Sequence, residues 1–496
     1  MQTQALRQTP VRASSVQTVS SNLLARYRTV RAASLALTAP LSPEDLMVQS
    51  CPEASPAKWH LAHTSWFFET FVLREFLAGY RDFHPDFHWL FNSYYNSLGD
   101  MPAKSLRASF SRPPLTDIFA YRAHVDAGIA RLLESTTELP VDAEAARRIA
   151  LGLEHEQQHQ ELIATDIKHA LFTNPLHPAY IEPSPRPAGD SIAPPLDWIT
   201  FSPGLTEIGF SPTSEPGAPG LDSQTWANDF CFDNETPRHT VFIAPFALAT
   251  RPVTCAEYLA FMDDNGYTRP ELWLSEGWTV IREQGWQAPL YWQHMPGSDC
   301  YWRIFTLRGW QSLDSNDLSE TPVCHLSFFE AAAYAQWASR QHPGCRLPTE
   351  FEWEYAASQL AASPGVSSTN LGAPHLASEM WVQKPDSPQS PSTTAPNLLE
   401  SGNLHPTRAS ALPGLQQIYG DVWEWTASAY AGYPGYQPLP GALGEYNGKF
   451  MSSQMILRGG SCVTPATHIR ATYRNFFSPA TRWQFSGLRL ARDSSS

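Results

Sequence analysis

The sequence predicts a multidomain protein, a four-helix bundle followed by a domain of mixed α and β (α+β) structure, and three observations lead to this prediction. Residues 20–173 carry long stretches with apolar residues at helical spacing and few helix breakers. Residues 174–195 are rich in proline, which cannot continue a helix, and we interpret them as a semi-rigid linker. Residues 196–496 then alternate short β-type runs with Gly, Pro and Asn turns.

Composition fits this division and excludes several classes of protein. A chain of 496 residues exceeds one ordinary domain, and 42% hydrophobic with 17% charged residues is typical of a globular protein. The formal net charge of -14, without Lys/Arg-rich runs, argues against nucleic acid or an anionic membrane surface as a partner. No apolar run approaches the roughly 20 residues that span a bilayer.

The compartment is predicted from the N-terminus and the cysteines. Residues 1–19 are polar and lack the apolar core of a signal peptide, so we interpret them as a flexible arm. The seven cysteines are scattered and form no CxxC pair, which argues against a disulfide framework or a zinc knuckle. We therefore expect a cytoplasmic protein with reduced thiols.

Four helices are predicted in the first domain. They span Leu23–Leu37, Ala57–Leu77, Thr116–Glu134 and Ala143–Leu171. Asp142 directly precedes the fourth helix and is a typical N-cap residue.

The second domain is predicted to be irregular and rich in loops. Its β-type runs are Asp197–Phe201, His239–Ile243, Met455–Leu457 and Gly487–Ala491. Its clearest helices are Cys255–Asp263, Ser327–Arg340 and one that begins at Thr349. Residues 361–401 are dominated by Ser, Pro, Thr and Asn, which predicts a long surface insertion.

A histidine pair in the fourth helix indicates metal chemistry. His155 and His159 are four apart and lie on one helix face, the arrangement that lets two imidazoles chelate one ion. Glu161 points elsewhere, so a third ligand must come from another segment. The second helix offers His60 or His63; a histidine on an apolar face is more often a core residue, but the facing pair favours a ligand. Spacing alone does not distinguish Zn(II) from six-coordinate Fe(II).

Several phrases of the sequence resemble the ergothioneine-pathway sulfoxide synthases, the EgtB family. They are WHLAHT at 59–64, HEQQH at 155–159, RLPTEFEWE at 346–354, GDVWEW at 420–425, LRGGS at 457–461 and GLRLA at 487–491. The first domain resembles a DinB-like bundle. The second resembles the formylglycine-generating-enzyme fold, a variant of the C-type-lectin-like fold. The resemblance covers nearly the whole chain outside the arm and residues 361–401.

The resemblance implies a non-haem Fe(2+) enzyme that uses O2 to join a thiol to C2 of the imidazole of hercynine (Nα-trimethylhistidine), leaving a sulfoxide. Matching positions make His63 the third ligand beside His155 and His159. Gln158 and Asn475 match residues near the betaine nitrogen of hercynine. Phe476 stands where a Trp is usual and still offers an aromatic face to a cation.

Two departures concern the thiol substrate and the proton donor. Phe477 replaces an acidic residue that holds γ-glutamylcysteine in part of the family, and Tyr94 and Tyr95 resemble the tyrosine pair of the branch that uses free cysteine. We therefore expect cysteine as the thiol and one of these phenols as the catalytic proton donor. Tyr446 is a further candidate in the substrate site. Arg112 is a candidate for pairing with a substrate carboxylate.

Four alternatives remain open from the sequence. The same reaction can use γ-glutamylcysteine as thiol donor. An ovothiol-type synthase joins cysteine to unmethylated histidine, although such proteins usually carry an added methyltransferase domain, which we do not recognise after Ala491. A zinc-loaded DinB-type thiol transferase and a non-catalytic binding protein are the remaining two.

Overall fold

The chain forms a helical first half and a sheet-containing second half, in the predicted order. The computed structural model describes residues 12–134, 142–182, 192–212, 230–297, 302–313, 316–361 and 395–494, with side chains from residue 21 onward. Residues 1–11 of the predicted arm, 183–191 of the predicted linker and 362–394 of the predicted insertion lie outside these ranges.

Four long helices make up the first half. They are α1 (Arg12–Thr38), α2 (Ala57–Phe68), α3 (Leu115–Glu134) and α4 (Ala143–Thr173). The predicted second helix is confirmed to its end, because α2 continues through a π-helical segment, Glu69–Leu73, and a last turn, Arg74–Phe76. The first helix is longer than predicted, since α1 includes residues 12–19 of the predicted arm.

The fourth helix is fixed at its start and packed closely in its middle. The Asp142 carboxylate accepts hydrogen bonds from the Glu144 and Ala145 N–H groups, as predicted for an N-cap. A Cβ on Gly152 would lie 2.5 Å from Cε1 of Phe68, so only glycine lets α4 approach α2 this closely. This approach lies one turn before His155.

The second half contains thirteen short strands in four described sheets. One sheet has the order β1-β4-β13-β8, a second β11-β10-β9-β12, and β2-β3 and β5-β6-β7 form two smaller ones. The strands are β1 Trp198–Phe201, β2 Gly204–Ile208, β3 His239–Ile243, β4 Phe246–Ala249, β5 Trp292–His294, β6 Trp302–Thr306, β7 Gly309–Ser312, β8 Cys345–Arg346, β9 Trp423–Ala429, β10 Met455–Arg458, β11 Asn475–Phe477, β12 Ser486–Gly487 and β13 Ala491–Asp493. All described pairings between these strands are antiparallel except that of β12 with β9.

The helices of this half pack around the sheets. The longer ones are α5 (Cys255–Asp263), α6 (Ser275–Gln284), α7 (Phe328–Ala338) and α8 (Glu350–Ala361). The predicted strand at 487–491 is corrected to two short strands, because the buried residues Leu488–Leu490 between them bridge the two four-stranded sheets. Among the described helices, none is both long and apolar enough to cross a membrane.

Buried ion pairs and aromatic side chains organise this second core. Arg458 donates to Glu350 and Glu354, and Arg489 to Glu424. Trp423 and Trp425 are buried, as predicted for core residues. Asn397–Leu399, at the end of the predicted insertion, are buried as well, so the surface character predicted for 361–401 does not extend to them.

The second half packs along one face of α4. Gln157 donates to Thr467 Oγ1 over 2.6 Å, Thr464 Oγ1 donates to Glu161 over 2.8 Å, and the Trp423 indole N–H donates to the same carboxylate. Farther along the helix, Lys168 Nζ lies 2.7 Å from His325 Nε2. The metal-facing and domain-facing sides of this one helix therefore lie next to each other.

Candidate metal centre and adjoining cavity

Three buried histidines converge between α2 and α4. Each of His63, His155 and His159 offers a ring nitrogen, and these nitrogens lie within 4.8 Å of one another. The close approach of the two helices at Gly152 brings the α2 ring onto the α4 pair. The residues brought together are thus the three that the family resemblance implied.

The ring of His63 is oriented by the bundle itself. Its Nδ1 lies 2.7 Å from the Phe91 carbonyl oxygen, and because a carbonyl only accepts, Nδ1 carries the proton. The ring also stacks on Trp59 at 4.5 Å between centroids. Nε2 of His63 is therefore left with a free lone pair, as a metal ligand requires.

The ring of His159 is oriented by a chain of two buried side chains. Asp166 Oδ2 lies 3.0 Å from His60 Nε2, and His60 Nδ1 lies 2.7 Å from His159 Nδ1. An ionised Asp166 accepts from His60 Nε2–H, which makes His60 Nδ1 an acceptor for the proton on His159 Nδ1. This arrangement leaves the lone pair of His159 on Nε2. His60 is a partner of the site and not one of its three converging histidines.

The donor set fits a metal ion. His155 Nε2 and His159 Nε2 face each other at 3.1 Å, and His155 Nδ1 has no hydrogen-bond partner among the described residues. Two nitrogens bound to one cation at about 2.0–2.1 Å lie roughly 3 Å apart. The spacing therefore suits two imidazoles that share an ion, and the neighbouring His63 supplies a third nitrogen.

Burial keeps these rings neutral. Desolvation lowers the pKa of His155 to about 4 and holds the pKa values of His63 and His159 well below their ordinary range. Mutual repulsion among the three rings acts in the same direction. Neutral imidazole is the form that binds a metal, so the site is prepared for one at physiological pH.

A cavity adjoins His155 and is lined by both halves of the chain. The lining residues are Phe67, Tyr95, Leu151, His155, Gln158, Phe232, Asp233, Leu439, Leu443, Tyr446 and Asn447. The metal centre therefore opens through His155 onto a space between the two domains, where ligand sites are common.

The predicted tyrosines differ in their positions. Tyr95 is 3% exposed, packs against Trp66 at 5.5 Å and lines the cavity, as Tyr446 does. Tyr94 is 36% exposed, has a left-handed φ of 68° and is not among the lining residues; its ring packs edge-on against Phe450 at 5.2 Å. Burial raises the pKa values of Tyr95 and Tyr446 above the usual range of a phenol, so both keep their protons.

The other predicted substrate residues are only partly brought together. Gln158 lines the cavity, and its Nε2 donates to the Tyr473 hydroxyl over 2.8 Å. Asn475 and Phe476 lie on β11, outside the lining: Asn475 Oδ1 accepts from the Phe476 N–H, and Phe476 stacks on Tyr430 at 4.1 Å. Arg112 is exposed and also outside the lining.

Comparison with known proteins identifies the family. Residues 26–163 match the DinB superfamily, and residues 213–494 match the sulfatase-modifying factor enzyme 1-like domain. Over 487 residues, the chain is 31% identical to the hercynine oxygenase of Mycolicibacterium smegmatis, covering 95% of this chain and 97% of that relative. The chain belongs to the hercynine oxygenase family.

Two further relatives support the division into domains. The hercynine oxygenase of Mycobacterium tuberculosis is 30% identical over 458 residues, which is 90% of this chain and 93% of the relative. The formylglycine-generating enzyme of Streptomyces coelicolor is 27% identical over 297 residues, covering 56% of this chain and 88% of the relative. As a hercynine oxygenase family member the chain is an oxidoreductase, and the predicted resemblance and fold class are confirmed.

Sequence reasoning missed several residues around the site. Asp166 follows His159 by seven positions, two helical turns, so helical periodicity places it on the same face and could have revealed it. His60 was considered as a ligand or a core residue, and not as a hydrogen-bond partner of His159. Asp233 lies in an irregular segment far along the chain from His155, where no spacing rule applies.

Proposed function

We propose that this hercynine oxygenase family member uses iron(II) and O2 to join cysteine to C2 of the imidazole of hercynine, giving hercynylcysteine sulfoxide in ergothioneine biosynthesis. The thiol and the imidazole C2 each lose a hydrogen, one oxygen atom of O2 becomes the sulfoxide oxygen, and the other leaves as water. The observation that carries the proposal is the cluster of three neutral histidines opening onto a cavity between the two domains.

Iron(II) suits this donor set better than zinc. Three imidazoles leave several positions open on a six-coordinate ion, but only one on a tetrahedral zinc. When bound to His63, His155 and His159, iron(II) would bind the thiol as thiolate and activate O2. The rings need not lose a proton first, because burial already holds them neutral.

Tyr95 is the proposed proton donor. Its ring lines the cavity together with His155, and none of the described residues forms a hydrogen bond to its hydroxyl that would compete with a substrate. A phenol kept protonated by burial can deliver a proton to a reacting oxygen. Tyr446 lines the same cavity and is the second candidate; the exposure of Tyr94 makes it the weakest of the three.

The charge of the cavity supports cysteine as the thiol. Its lining residues include neither Lys nor Arg, and their only carboxylate is Asp233. γ-Glutamylcysteine carries one more carboxylate than cysteine and finds no cation among these residues. Phe477, which replaces the acidic residue that holds the longer thiol in part of the family, packs against Trp483 at 5.6 Å between ring centroids. Both observations favour the smaller substrate.

The decisive experiment is anaerobic loading with iron(II), followed by measurement of O2 uptake and product mass. Hercynine would be paired with cysteine in one arm and with γ-glutamylcysteine in the other, with zinc-loaded protein as the control. We expect a sulfoxide mainly from cysteine, and none with zinc. Preference for γ-glutamylcysteine would overturn the thiol assignment, and no uptake with either thiol would overturn the reaction itself.

The predicted cellular setting remains part of this proposal. A cytoplasmic location suits reduced thiols and a cysteine substrate. The expected partners are small molecules only, namely hercynine, cysteine and O2.

A further inference from the structure

The turn that follows Tyr95 is not capped by its own segment. Tyr95 directly precedes a short 3-10 turn, Asn96–Leu98, whose first N–H groups need acceptors from outside the turn. The residue before a helical turn often supplies such an acceptor from its side chain, but the Tyr95 ring lies in the core of the bundle and forms no capping bond. The acceptors must therefore come from another part of the chain.

The second domain supplies these acceptors through Glu445. Its Oε2 accepts from the Asn96 N–H over 2.9 Å, and its Oε1 accepts from the Ser97 N–H over 3.1 Å and from the Ser97 hydroxyl. Glu445 begins a short helical turn, Glu445–Gly448, of the second domain. One carboxylate of the second domain therefore caps a turn of the first.

Lys449 bonds the backbone on the other side of Tyr95. Its ammonium donates to the Tyr94 carbonyl oxygen and lies 3.8 Å from the Glu445 carboxylate. The Tyr94 carbonyl and the Asn96 N–H belong to the two peptide groups that flank Tyr95. Since both peptide groups are bonded to the second domain, the two backbone dihedrals of Tyr95 are restricted by that domain.

The same stretch of the second domain forms part of the cavity wall. Leu443 and Tyr446 line the cavity together with Tyr95, and Leu443 also packs against the apolar core of the bundle. The side chains of Glu445 and Lys449 are 24% and 29% exposed, so their bonds lie at the edge of the contact between the domains. Glu445 therefore joins the wall that carries Tyr446 to the backbone that carries Tyr95.

The bundle holds the ring of Tyr95 mainly by packing. The ring lies 5.5 Å from Trp66 and 5.1 Å from Phe71 between centroids, and Asn92 Nδ2 donates to the Tyr95 carbonyl oxygen over 3.1 Å. Apolar packing is not directional, so it does not by itself fix where the hydroxyl points. The hydroxyl is at the far end of the side chain, where a small backbone rotation is magnified. A displacement of about 1 Å at a reacting group can cost about 100-fold in rate.

We infer that Glu445 is a positioning residue for Tyr95, because it bonds the backbone that follows Tyr95 and so sets where the phenol stands for proton transfer. This inference rests on the proposed function. Glu445 is not one of the cavity-lining residues, so it acts through Tyr95 and not on a substrate. Lys449 supports the same segment through the Tyr94 carbonyl.

The test measures how variants of Glu445 divide their products between sulfoxide and sulfinic acid. A displaced phenol should favour the sulfinic acid, in which both oxygen atoms of O2 remain on the sulfur of the thiol. A merely structural defect would slow both products alike and leave their ratio unchanged. The variants are Glu445→Ala, Glu445→Gln, which keeps one acceptor oxygen, and Glu271→Ala. Glu271 is a matched control, because it is an exposed carboxylate of the same domain, pairs with Arg269 and lies outside the cavity lining.

We expect Glu445→Ala to lower the ratio of sulfoxide to sulfinic acid about threefold, with iron(II) affinity and the KM for hercynine within about twofold of wild type. The shift should be smaller than in Tyr95→Phe, since Trp66 and Phe71 still hold the ring. Glu445→Gln should recover part of the ratio, and Glu271→Ala should match wild type. An unchanged ratio in Glu445→Ala would overturn the inference and leave the proposed function standing.

A double variant tests whether Glu445 acts through Tyr95. In a Tyr95→Phe background, Glu445→Ala should change the product ratio by less than about twofold, because the hydroxyl that Glu445 positions is already absent. The full effect of Glu445→Ala in that background would show that Glu445 acts by another route, and would overturn the inference.

Hydrogen exchange of the metal-free protein gives a measurement that does not depend on turnover. The Asn96 and Ser97 amides should exchange at least about tenfold faster in Glu445→Ala than in wild type, because they lose their acceptor. Unchanged exchange would overturn the inference. If Glu445→Ala fails to fold, Glu445→Gln should show smaller changes in the same direction, and their absence would overturn it equally. If wild type forms no sulfoxide from either thiol, the proposed function fails together with the inference.

Discussion

The two polar faces of α4 are held by different parts of the molecule. On one face, the ring of His159 is oriented by His60 of the bundle, while the facing ring of His63 is oriented by the Phe91 carbonyl of the same domain. On the other, Gln158 and Glu161 are held by side chains of the second domain. The converging histidines are thus oriented within the bundle, whereas the neighbouring face of α4 is held by the second domain.

The two faces also differ in how their carboxylates are neutralised. Glu156, inside the bundle, forms ion pairs with Arg31 and Arg122. Their positive charges outweigh the effect of burial and lower the pKa of Glu156. Glu161, at the domain junction, receives only neutral donors, and burial raises its pKa to about 7. The pKa values of these two equally buried carboxylates are therefore shifted in opposite directions, because only Glu156 has a guanidinium beside it.

The largest expected effect is the loss of the metal ligands. His155→Ala should abolish iron binding and reduce O2 uptake by more than about 10³-fold, because two nitrogens cannot replace three converging ones. Iron content by atomic spectrometry and O2 uptake measure this. The control is His84→Ala, since His84 is exposed and remote from the site; full activity in His155→Ala would refute the assignment.

The orienting chain should have the next largest effect. Asp166→Asn removes the anion that fixes His60 and hence His159, and we expect iron(II) affinity to fall about 10- to 100-fold in a competition with a chelator. Trp483→Phe sharpens the comparison, because the Trp483 indole of the second domain donates to the other Asp166 oxygen at 3.1 Å. Trp483→Phe should lower iron(II) affinity no more than a few-fold if the bundle alone holds the metal. Equal losses in both variants would mean that the metal site depends on both domains.

Removal of the proton donor is predicted to change the product and leave metal binding intact. Tyr95→Phe should keep iron(II) affinity and shift products several-fold from sulfoxide toward the sulfinic acid of the thiol, because the site then lacks its proton donor. Product ratios by mass spectrometry measure this, with Tyr94→Phe as the matched control. A shift in Tyr94→Phe but not in Tyr95→Phe would reverse the assignment.

The smallest effect is expected at Lys168, toward the C-terminal end of the face of α4 that packs against the second domain, and it concerns stability. Burial lowers the pKa of Lys168 to about 8, below its unfolded value, so the unfolded chain binds more protons between about pH 8 and 10.5. Wild-type stability should therefore rise with pH across this window. Lys168→Met removes the buried ammonium and should stabilise the protein by about 1 kcal/mol at pH 7, after the cost of leaving His325 unpaired.

Urea unfolding at pH 7 and pH 10 measures this difference. The gain from Lys168→Met should shrink at pH 10, where the wild-type amine is already neutral. The neighbouring Cys324 and Cys462 thiols have raised pKa values, and His325 has a lowered one, so none of them is expected to become charged near neutral pH. A gain that is constant with pH would indicate a packing effect and not a titration.

Much of the first domain could be predicted from local sequence, because helical spacing places residues relative to one another. The ends of α4 and the convergence of His155 and His159 follow from periodicity. The choice between His60 and His63 does not, since both lie on the same helix and both reach the facing pair, His60 as a hydrogen-bond partner of His159 and His63 as the third converging nitrogen. It was the resemblance that implied His63.

The cavity wall could not be predicted in this way. Asp233 lies on a 3-10 turn, Asn447 on a four-residue helix and Tyr473 in an irregular segment, where no period relates them to α4. Tyr94 and Tyr95 are adjacent in the sequence, yet the left-handed backbone at Tyr94 turns only Tyr95 into the core. Residue identity alone does not contain such information, and Asn475 and Phe476 were assigned from resemblance for the same reason.

The split between helices and loops has a consequence for how such enzymes diversify. The converging histidines lie on two rigid helices that touch at Gly152, whereas the wall facing them is built largely from irregular connections. Insertions and exchanges accumulate in connections more readily than in packed helices. Lineages that share this scaffold can therefore acquire new acceptor molecules by altering the wall, while inheriting an oxidising centre that stays the same.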